Sequence, residues 1–297
     1  MKRFLQKFLF LFLIHPTTLS FSQVANYTFS ETVGTYSPIV GGTLLATTTG
    51  GVTSYDTDGN YISLPTTSRF TYNGVLITTL TMTADGALWL NPSTTTRGFG
   101  VTGPISSTGT ATGVISAMGM DLRSTSIAGQ VYERRWQDVG TEVVFQWQNA
   151  ARYLSNTTER FSFQVRINKT TGVIRVVYGN MTTISTSTSY QPMVGLRGVT
   201  NTDFNNRRLT LSIPDAIPNW GAPSGTIAGT LNSYTCRFTS TGSCVPTLGL
   251  TFIWTPAAAS SAPTNDLVCS ATPISCGGSL NGTTINATNS GTGENLT

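Results

Sequence analysis

The chain has almost no histidine or lysine. His15 is the only histidine among the 297 residues, and Lys169 is the only lysine beyond residue 22. Residues 1–22 have the features of a signal peptide, as described below, so the mature chain has no histidine at all. That absence excludes Ser-His-Asp and Cys-His nucleophilic catalysis, and it excludes the common zinc sites with histidine ligands.

Charge is scarce too, since charged residues make up 10% of the chain. The formal net charge of +4 arises from 17 basic and 13 acidic residues, and Lys2, Arg3 and Lys7 supply three of the basic ones. Subtracting these three leaves 14 basic and 13 acidic residues, a net charge of +1. A nucleic-acid-binding protein needs a clustered basic face. The sequence therefore predicts no nucleic-acid partner.

The first 22 residues predict export. A basic start is followed by the short apolar run from Phe8 to Ile14, and Ser20-Phe21-Ser22 forms a small-residue cleavage site before Gln23. This run is shorter than the roughly 20 apolar residues that a membrane-spanning helix needs, and no other stretch approaches that length. We expect a protein that meets the secretion machinery, is cleaved near Ser22, is not inserted in a membrane, and is secreted or held at the cell surface.

The four cysteines fall into two local pairs, Cys236 with Cys244 and Cys269 with Cys276. In an exported protein this spacing predicts two short-range disulfides, each closing a small loop. A zinc site is the alternative for four cysteines, but the oxidising compartment and the spacing disfavour it.

The clearest structural signal is the stretch from Phe161 to Tyr178, FSFQVRINKTTGVIRVVY. Apolar and polar residues alternate from 161 to 168, which is the period of a half-buried strand. The segment Lys169-Thr170-Thr171-Gly172 supplies a turn, and a second apolar run follows it. The pattern predicts a β-hairpin, which we interpret as the central ribbon of a large antiparallel sheet.

Other strands are bounded by strong turn signals, such as Asn73-Gly74 and Asp85-Gly86. Residues 75–82 and 209–213 predict further strands, and residues 114–122 form another apolar run. Residues 129–136 and 141–147 predict a second hairpin, and no segment of ten or more residues has a convincing helical period. The sequence thus predicts an all-β fold, a two-sheet antiparallel sandwich that is jelly-roll-like.

Composition predicts four regions along the chain. Residues 1–22 are the signal peptide, 23–256 the β-sandwich domain, and 257–264 a linker that contains AAASSAP. Residues 265–297 are too few for a core of their own. We interpret them as the truncated start of a second β domain in a longer protein.

Two sets of residues are candidates for binding. Asp56, Asp58 and Asn60 offer hard oxygen ligands in one loop and could hold calcium, although a plain turn explains the same residues. Trp136 and Trp220 lie beside turn-like segments, so we expect them to be the tryptophans most exposed for stacking on a sugar. A hydrophobic core or sheet-rim role is the alternative for both.

Paired carboxylates could hydrolyse a glycoside if two of them flanked one cleft. The candidates are Glu133, Asp138, Glu142 and Glu159. The strand pattern expected of sandwich-fold glucanases is absent, and solvated charge at strand ends explains these residues more simply. The sequence therefore predicts no enzyme.

Several stretches together resemble a known module. They are YTFSETVGTYSPIVGGT (27–43), VVFQWQN (143–149), FSFQVRINKTTGVIRVVYG (161–179), VGLRGVTNTDFNNR (194–207) and GLTFIWTP (249–256). As a set they resemble the N-terminal β-sandwich module of large secreted surface proteins of Gram-negative bacteria that use the type IX secretion route. NDLVCSATPISCGGSLNGTT (265–284) is similar to the start of the sandwich domain that follows such modules. The motif around Asp121 departs from the pattern of that family.

The resemblance implies display outside the cell, alongside adhesive, fibronectin-like or hydrolytic domains, and it assigns no catalytic residue. The leading hypothesis is a non-catalytic surface module for adhesion or ligand presentation, with an extracellular glycan or a surface protein as partner. Two alternatives stay open. One is an accessory N-terminal region of a secreted hydrolase, and the other is a carbohydrate-binding module.

Overall fold

The computed structural model describes residues 23–49, 59–93, 105, 111–124, 127–153, 159–182, 192–200, 202–208, 220–226 and 245–257. All of them belong to one unit, Ser22–Ala259. The predicted signal peptide, all four cysteines, Asp56, Asp58 and residues 265–297 lie outside the described residues. No helix within the described ranges is long and apolar enough to cross a bilayer.

The described residues form β-strands and two short 3-10 turns, Val24–Asn26 and Thr66–Ser68. The strands are β1 (Thr28–Val33), β2 (Thr43–Thr49), β3 (Gly59–Ser63), β4 (Phe70–Tyr72), β5 (Val75–Ile77), β6 (Thr79–Thr83), β7 (Ala87–Leu90), β8 (Val114–Gly119), β9 (Leu122–Ser124), β10 (Val131–Asp138), β11 (Glu142–Arg152), β12 (Arg160–Asn168), β13 (Ile174–Thr182), β14 (Met193–Arg197), β15 (Phe204–Arg208), β16 (Ser224–Thr226) and β17 (Leu250–Thr255).

Two large antiparallel sheets account for most of the strands. Sheet I has eight strands in the order β1-β17-β13-β12-β11-β10-β2, with β9 also paired to β11. Sheet II has seven strands in the order β16-β15-β14-β8-β7-β6-β3, and β4 and β5 form a separate hairpin. The first and last strands along the chain, β1 and β17, are neighbours in sheet I, with Thr28 of β1 opposite Thr255 of β17.

The core lies between the two sheets, where apolar side chains of both inner faces form one cluster. Trp147 of β11 stacks on Phe163 of β12 with ring centroids 5.0 Å apart. The Trp147 indole N–H also reaches across to sheet II and donates to the Thr83 carbonyl at 2.8 Å. Full burial of a large apolar side chain contributes about 1.5–3 kcal/mol, so this inner layer supplies most of the stability.

The structure confirms the predicted all-β antiparallel sandwich and its central hairpin. β12 and β13 pair with Ile167 opposite Ile174, and β10 pairs with β11 as the second hairpin. The turn signals are confirmed as well, because Asn73, Gly74 and Gly86 all have positive φ angles.

One predicted strand is wrong in its extent. Residues 75–82 predict a single strand, but β5 ends at Ile77 and β6 begins at Thr79 in a different sheet. The apolar run at 114–122 likewise divides into β8 of sheet II and the start of β9 of sheet I. Apolar runs carry no signal of a change of sheet, which depends on the pairing partners. The strand predicted at 209–213 lies outside the described residues.

Candidate functional site

The chain crosses the whole outer face of sheet I between β1 and β2, which occupy opposite edges of that sheet. We call this crossing segment, residues 34–42, the strap. Gln146 of β11 holds its middle, because its side-chain oxygen accepts from the Ile39 N–H at 2.8 Å and its amide donates to the Ile39 carbonyl at 3.2 Å. Gln164 of β12 donates to the Ser37 carbonyl at 2.8 Å. These amides replace the backbone partners that a chain running across strands lacks.

The start of the strap is fixed over β13 and β17. The Gly34 N–H donates to the Gly249 carbonyl at 2.7 Å. The Tyr36 hydroxyl donates to the Gln148 side-chain oxygen at 2.9 Å, and burial raises the pKa of this phenol. The Tyr36 ring lies directly on Gly179, where an added Cβ would come within 2.8 Å of the ring. Only glycine at 179 leaves room for this ring.

The end of the strap is fixed over β10. Arg135 donates to the carbonyls of Val40 at 2.7 Å and Gly41 at 3.1 Å. Gly42 has a φ of +76°, and an added Cβ would lie 2.2 Å from the Trp136 carbonyl oxygen. The side chain of Val40 remains 88% exposed, although its backbone is held.

The strap explains why the polar face of the central hairpin is buried. Alternation along 161–168 predicts a half-buried strand, yet Ser162 and Gln164 are almost completely inaccessible to solvent. Gln164 also donates to Gln146 at 2.7 Å, so the two amides and the strap backbone form one hydrogen-bonded layer. Buried amides in such a layer must be paired, because an unpaired one costs roughly 1–3 kcal/mol.

Next to the strap, a row of residues runs across sheet I. Pairing places Gln137, Val144, Arg166, Arg175 and Ile253 side by side on neighbouring strands. The row lies two residues along each strand from the residues that hold the strap, a distance of about 7 Å. We call Arg166 and Arg175, which face each other on β12 and β13, the arginine pair.

One carboxylate lies between the two guanidinium groups. Glu142 Oε2 accepts from Arg166 Nε at 2.8 Å and from Arg166 Nη2 at 2.8 Å, and Glu142 Oε1 accepts from Arg175 Nη1. Arg166 Nη1 also donates to Gln164 at 3.0 Å, so Arg166 is held from two sides. Two positive charges share one negative charge, which leaves an excess of one positive charge on this part of the face.

A second ion pair borders the row at the hairpin turn. Lys169 donates to both Asp138 oxygens, at 2.8 and 2.9 Å, and Ser68 donates to Asp138 at 2.8 Å. Partial burial acts to raise the pKa of the Asp138 carboxyl, but these hydrogen bonds lower it below its ordinary value of 3.8. Lys169 therefore links the hairpin turn at 169–172 to Asp138 and to the 3-10 turn Thr66–Ser68.

The four candidate hydrolytic carboxylates are all in ion pairs within the described part of the chain. Glu159 pairs with Arg152, and both side chains are fully buried. The other three lie on the outer face of sheet I or at its turns: Glu133 pairs with Arg135, Asp138 with Lys169, and Glu142 with the arginine pair. Each of these carboxylates therefore contributes an ion pair to the structure of the domain.

At the opposite edge of the sandwich, Asp203 anchors the first described residues. Its carboxylate accepts from the Ala25 N–H at 3.1 Å and from the Asn73 side-chain amide at 3.0 Å. Burial raises the pKa of Asp203. Gly198 packs on the carboxylate so closely that an added Cβ would lie 1.7 Å from Asp203 Oδ2.

Asn205 continues this anchor on β15. Its amide donates to the carbonyls of Val24 at 3.1 Å and Tyr27 at 2.8 Å, while its oxygen accepts from Trp254 at 3.3 Å and Arg207 at 2.9 Å. Burial lowers the pKa of Arg207 to about 10. Most of the hydrogen bonds of Asp203 and Asn205 join them to other segments of the domain, so this cluster stabilises the fold.

The two candidate tryptophans lie in different environments. Only 3% of Trp220 is accessible, because it packs against Tyr178 and Phe252 in the core. The alternative of a core role is therefore confirmed for Trp220, and the neighbouring Pro and Asn do not bring it to the surface. Trp136 is half-buried and stacks on Phe145.

The candidate calcium loop is described only at Asn60, which lies in the edge strand β3 with its side-chain oxygen buried. Asp56 and Asp58 lie outside the described residues, so calcium binding stays a prediction. Among described residues, no group of three or more His, Cys, Asp or Glu side chains is arranged to hold a metal.

The position of Arg166 opposite Arg175 follows from the sequence once the turn between their strands is placed. A turn at 169–172 sets residue 168 opposite 173, and counting two residues back along each strand sets Arg166 opposite Arg175. No local pattern predicts that Glu142 contacts the arginine pair, because that contact depends on the pairing of β11 with β12.

The family model described as NIDO related matches residues 26–256. This span begins in the first 3-10 turn and ends directly after β17, so it contains both sheets. No curated protein and no solved structure matches the chain.

Proposed function

The chain belongs to the NIDO-related family, and on this basis we propose that it is a non-catalytic module that serves in adhesion or ligand presentation outside the cell. NIDO-related domains are a type of extracellular module. The observation that carries the proposal is the extent of the family match, which covers the entire sandwich. Fold alone does not assign a function, so adhesion is argued from the surface described above.

Three features support a binding role over a catalytic one. The mature sequence lacks histidine, and the four candidate carboxylates are in ion pairs. Hydrogen bonds fix the backbone of the strap on the outer face of sheet I, while the Val40 side chain on the strap stays exposed. Rigid scaffolds that carry exposed polar surface are the usual platform for recognition.

The proposal includes export by the type IX route, cleavage near Ser22, and disulfides within the pairs Cys236/Cys244 and Cys269/Cys276. N-terminal sequencing of the secreted protein tests the cleavage site, and a sequence that begins at Gln23 supports it. Peptide mass mapping without reduction tests the disulfides, and crossed pairing would refute the local assignment.

The central experiment is adhesion without turnover. Beads coated with the purified full chain are tested for retention on surfaces that carry glycans and matrix proteins, and on whole cells. Beads coated with an unrelated β-sandwich protein serve as the control. We expect specific retention and no release of sugars or peptides. Retention equal to the control, or release of cleavage products, would refute the proposal.

The remaining alternative of a carbohydrate-binding module that uses tryptophan is tested at Trp136. A Trp136→Ala variant that folds but loses binding to a neutral glycan would favour it. Trp220→Ala is not informative for binding, since loss of this buried ring damages the core at a cost of about 3–5 kcal/mol. A change in melting temperature on adding calcium would test the candidate ligands Asp56, Asp58 and Asn60. Hydrolase domains encoded beyond residue 297 would instead favour the accessory-region alternative.

A further inference from the structure

The arginine pair is an unusual arrangement for a sheet surface. Arg166 and Arg175 are directly opposite each other on β12 and β13. Like charges in that position destabilise a sheet unless a counter-charge lies between them. Glu142 supplies one such charge, and both arginines bind it. The pair therefore carries one positive charge more than its partner neutralises.

The excess charge is accessible at Arg175. Its side chain is 38% exposed, compared with 23% for Arg166 and 12% for Glu142. A guanidinium group has five N–H donors, and within the described part of the chain Arg175 uses only Nη1, toward Glu142. Its Nε and Nη2 groups make no hydrogen bond to a described residue, so they can donate to a ligand.

Arg166 makes more hydrogen bonds than Arg175 and is less exposed. Arg166 donates through Nε and Nη2 to Glu142 and through Nη1 to Gln164, which in turn holds the strap. The shared carboxylate thereby positions both guanidinium groups in the folded protein. A preorganised charge loses less side-chain entropy when a ligand binds.

The surroundings fit an extended ligand. Ile253 lies beside Arg175 in the same row and is partly exposed, whereas Val144 on the other side of the pair is fully buried. The strap runs alongside. A chain that crosses the strands at Arg175 would contact the apolar side chain of Ile253 next to the charged donors. Guanidinium forks match the two oxygens of a carboxylate or sulfate group, and they do so better than an ammonium group would.

We propose that the arginine pair binds the carboxylate or sulfate groups of an acidic polysaccharide outside the cell. This inference rests on the proposed extracellular binding function and names its ligand class. A polysaccharide is favoured over nucleic acid because the mature chain has a net charge of only +1, without the clustered basic face that a phosphate backbone requires. The site is only two arginines wide, and a polysaccharide of repeated acidic sugars offers it the same acidic group at many positions along the polymer.

The test uses the full secreted chain and four polymers: alginate for carboxylate, dextran sulfate for sulfate, dextran as the neutral polymer, and a single-stranded DNA as the alternative polyanion. Binding is measured by affinity electrophoresis and calorimetry at two salt concentrations. We expect binding to alginate or dextran sulfate that weakens with salt, and none to dextran. Which of the two acidic polymers binds identifies the acidic group.

Three variants assign the binding to the pair. Arg175→Gln should lower affinity about tenfold or more, as expected for loss of charge-assisted hydrogen bonds. Glu142→Gln should raise affinity, because the amide oxygen of glutamine can still accept from a guanidinium group and hold it, while the competing negative charge is removed. Arg69→Gln is the matched control, since it removes the same charge from an arginine outside sheet I. Melting curves of all three verify folding, and Arg175→Gln leaves Glu142 paired with Arg166.

Several results would overturn the inference. These are no binding of the wild-type chain to either acidic polysaccharide, equal binding by Arg175→Gln and wild type, or preferential binding of DNA. If the beads adhere to cells or to a neutral glycan while acidic polymers do not bind, this inference fails and the adhesive function stands. If neither adhesion nor polymer binding occurs, both fail.

Discussion

Replacing Gln146 by leucine tests how the strap is held. Gln146 is buried and makes three hydrogen bonds, two with Ile39 of the strap and one with Gln164. Leucine has a similar volume but no hydrogen-bonding atoms, so the change removes these bonds with little change in packing.

The expected cost follows from what the substitution leaves behind. Ile39 is 8% exposed, so its N–H and C=O lose their partner in a region with little access to water. Leaving a buried polar group unpaired costs about 1–3 kcal/mol. Two such groups, offset in part by the added apolar surface, give a destabilisation of roughly 3–5 kcal/mol. In a domain of this size, 1 kcal/mol lowers the melting temperature by about 2–4 °C, so we expect a decrease of roughly 6–20 °C.

Urea unfolding followed by tryptophan fluorescence gives the free energy of unfolding. Hydrogen exchange of the Ile39 amide then locates the change, since this amide should exchange much faster in the variant while β12 amides stay protected. Gln148→Leu is the matched control. It removes only the bond from Tyr36, so it should cost about 1 kcal/mol.

A loss of stability below 1 kcal/mol for Gln146→Leu would refute the reasoning. So would an Ile39 amide that exchanges equally slowly in variant and wild type. Either result would mean that the strap is held by its ends, at Gly34 and Arg135, and that the buried amides contribute little.

Three further predictions concern the buried polar groups. Gly198→Ala should lower the free energy of unfolding by roughly 2 kcal/mol or more, because the new methyl group collides with Asp203, and urea midpoints measure this. Burial raises the pKa of Asp203, so its contribution to stability is most favourable below the unfolded value near 3.8 and declines as pH rises through the folded value. The stability of wild type relative to Asp203→Asn should therefore fall between pH 4 and neutral pH, and a flat difference would contradict the assignment. Arg152→Met leaves the buried Glu159 without its arginine and should cost about 3–5 kcal/mol, whereas the double change with Glu159→Met should recover much of the loss in a thermal-melt cycle.

The hairpins were predictable because their signals are local. Alternation from 161 to 168 and the turn at 169–172 specify β12 and β13 with the observed register. The Asn73-Gly74 turn predicted the β4–β5 hairpin for the same reason, since both residues have positive φ angles. In each case the interacting residues are close in sequence, so the pattern contains the pairing.

The strap, β2 and β15 were not predicted, and each depends on distant contacts. Residues 34–42 look like an ordinary Gly-rich loop, and the amides that hold them come from residues 146 and 164. β15 contains Asn205, Asn206 and Arg207, whose polarity disfavours a buried strand. The Asn205 side chain, for example, is held by Val24, Tyr27 and Trp254, which lie far from it in the sequence.

The sequence by itself determined the class of this protein. Missing histidine, low charge, alternating strands and turn dipeptides are properties of composition and local spacing, and they predicted an all-β, non-catalytic chain with a leader for export. Only the tertiary structure decided which surface is buried and which is available. Trp220 is in the core, Gln164 is under the strap, and Arg175 is open beside Glu142. The physical reason is that the contacts responsible join residues more than thirty positions apart, namely Tyr178 with Trp220, Ser37 with Gln164, and Glu142 with Arg175, and no local pattern contains such contacts.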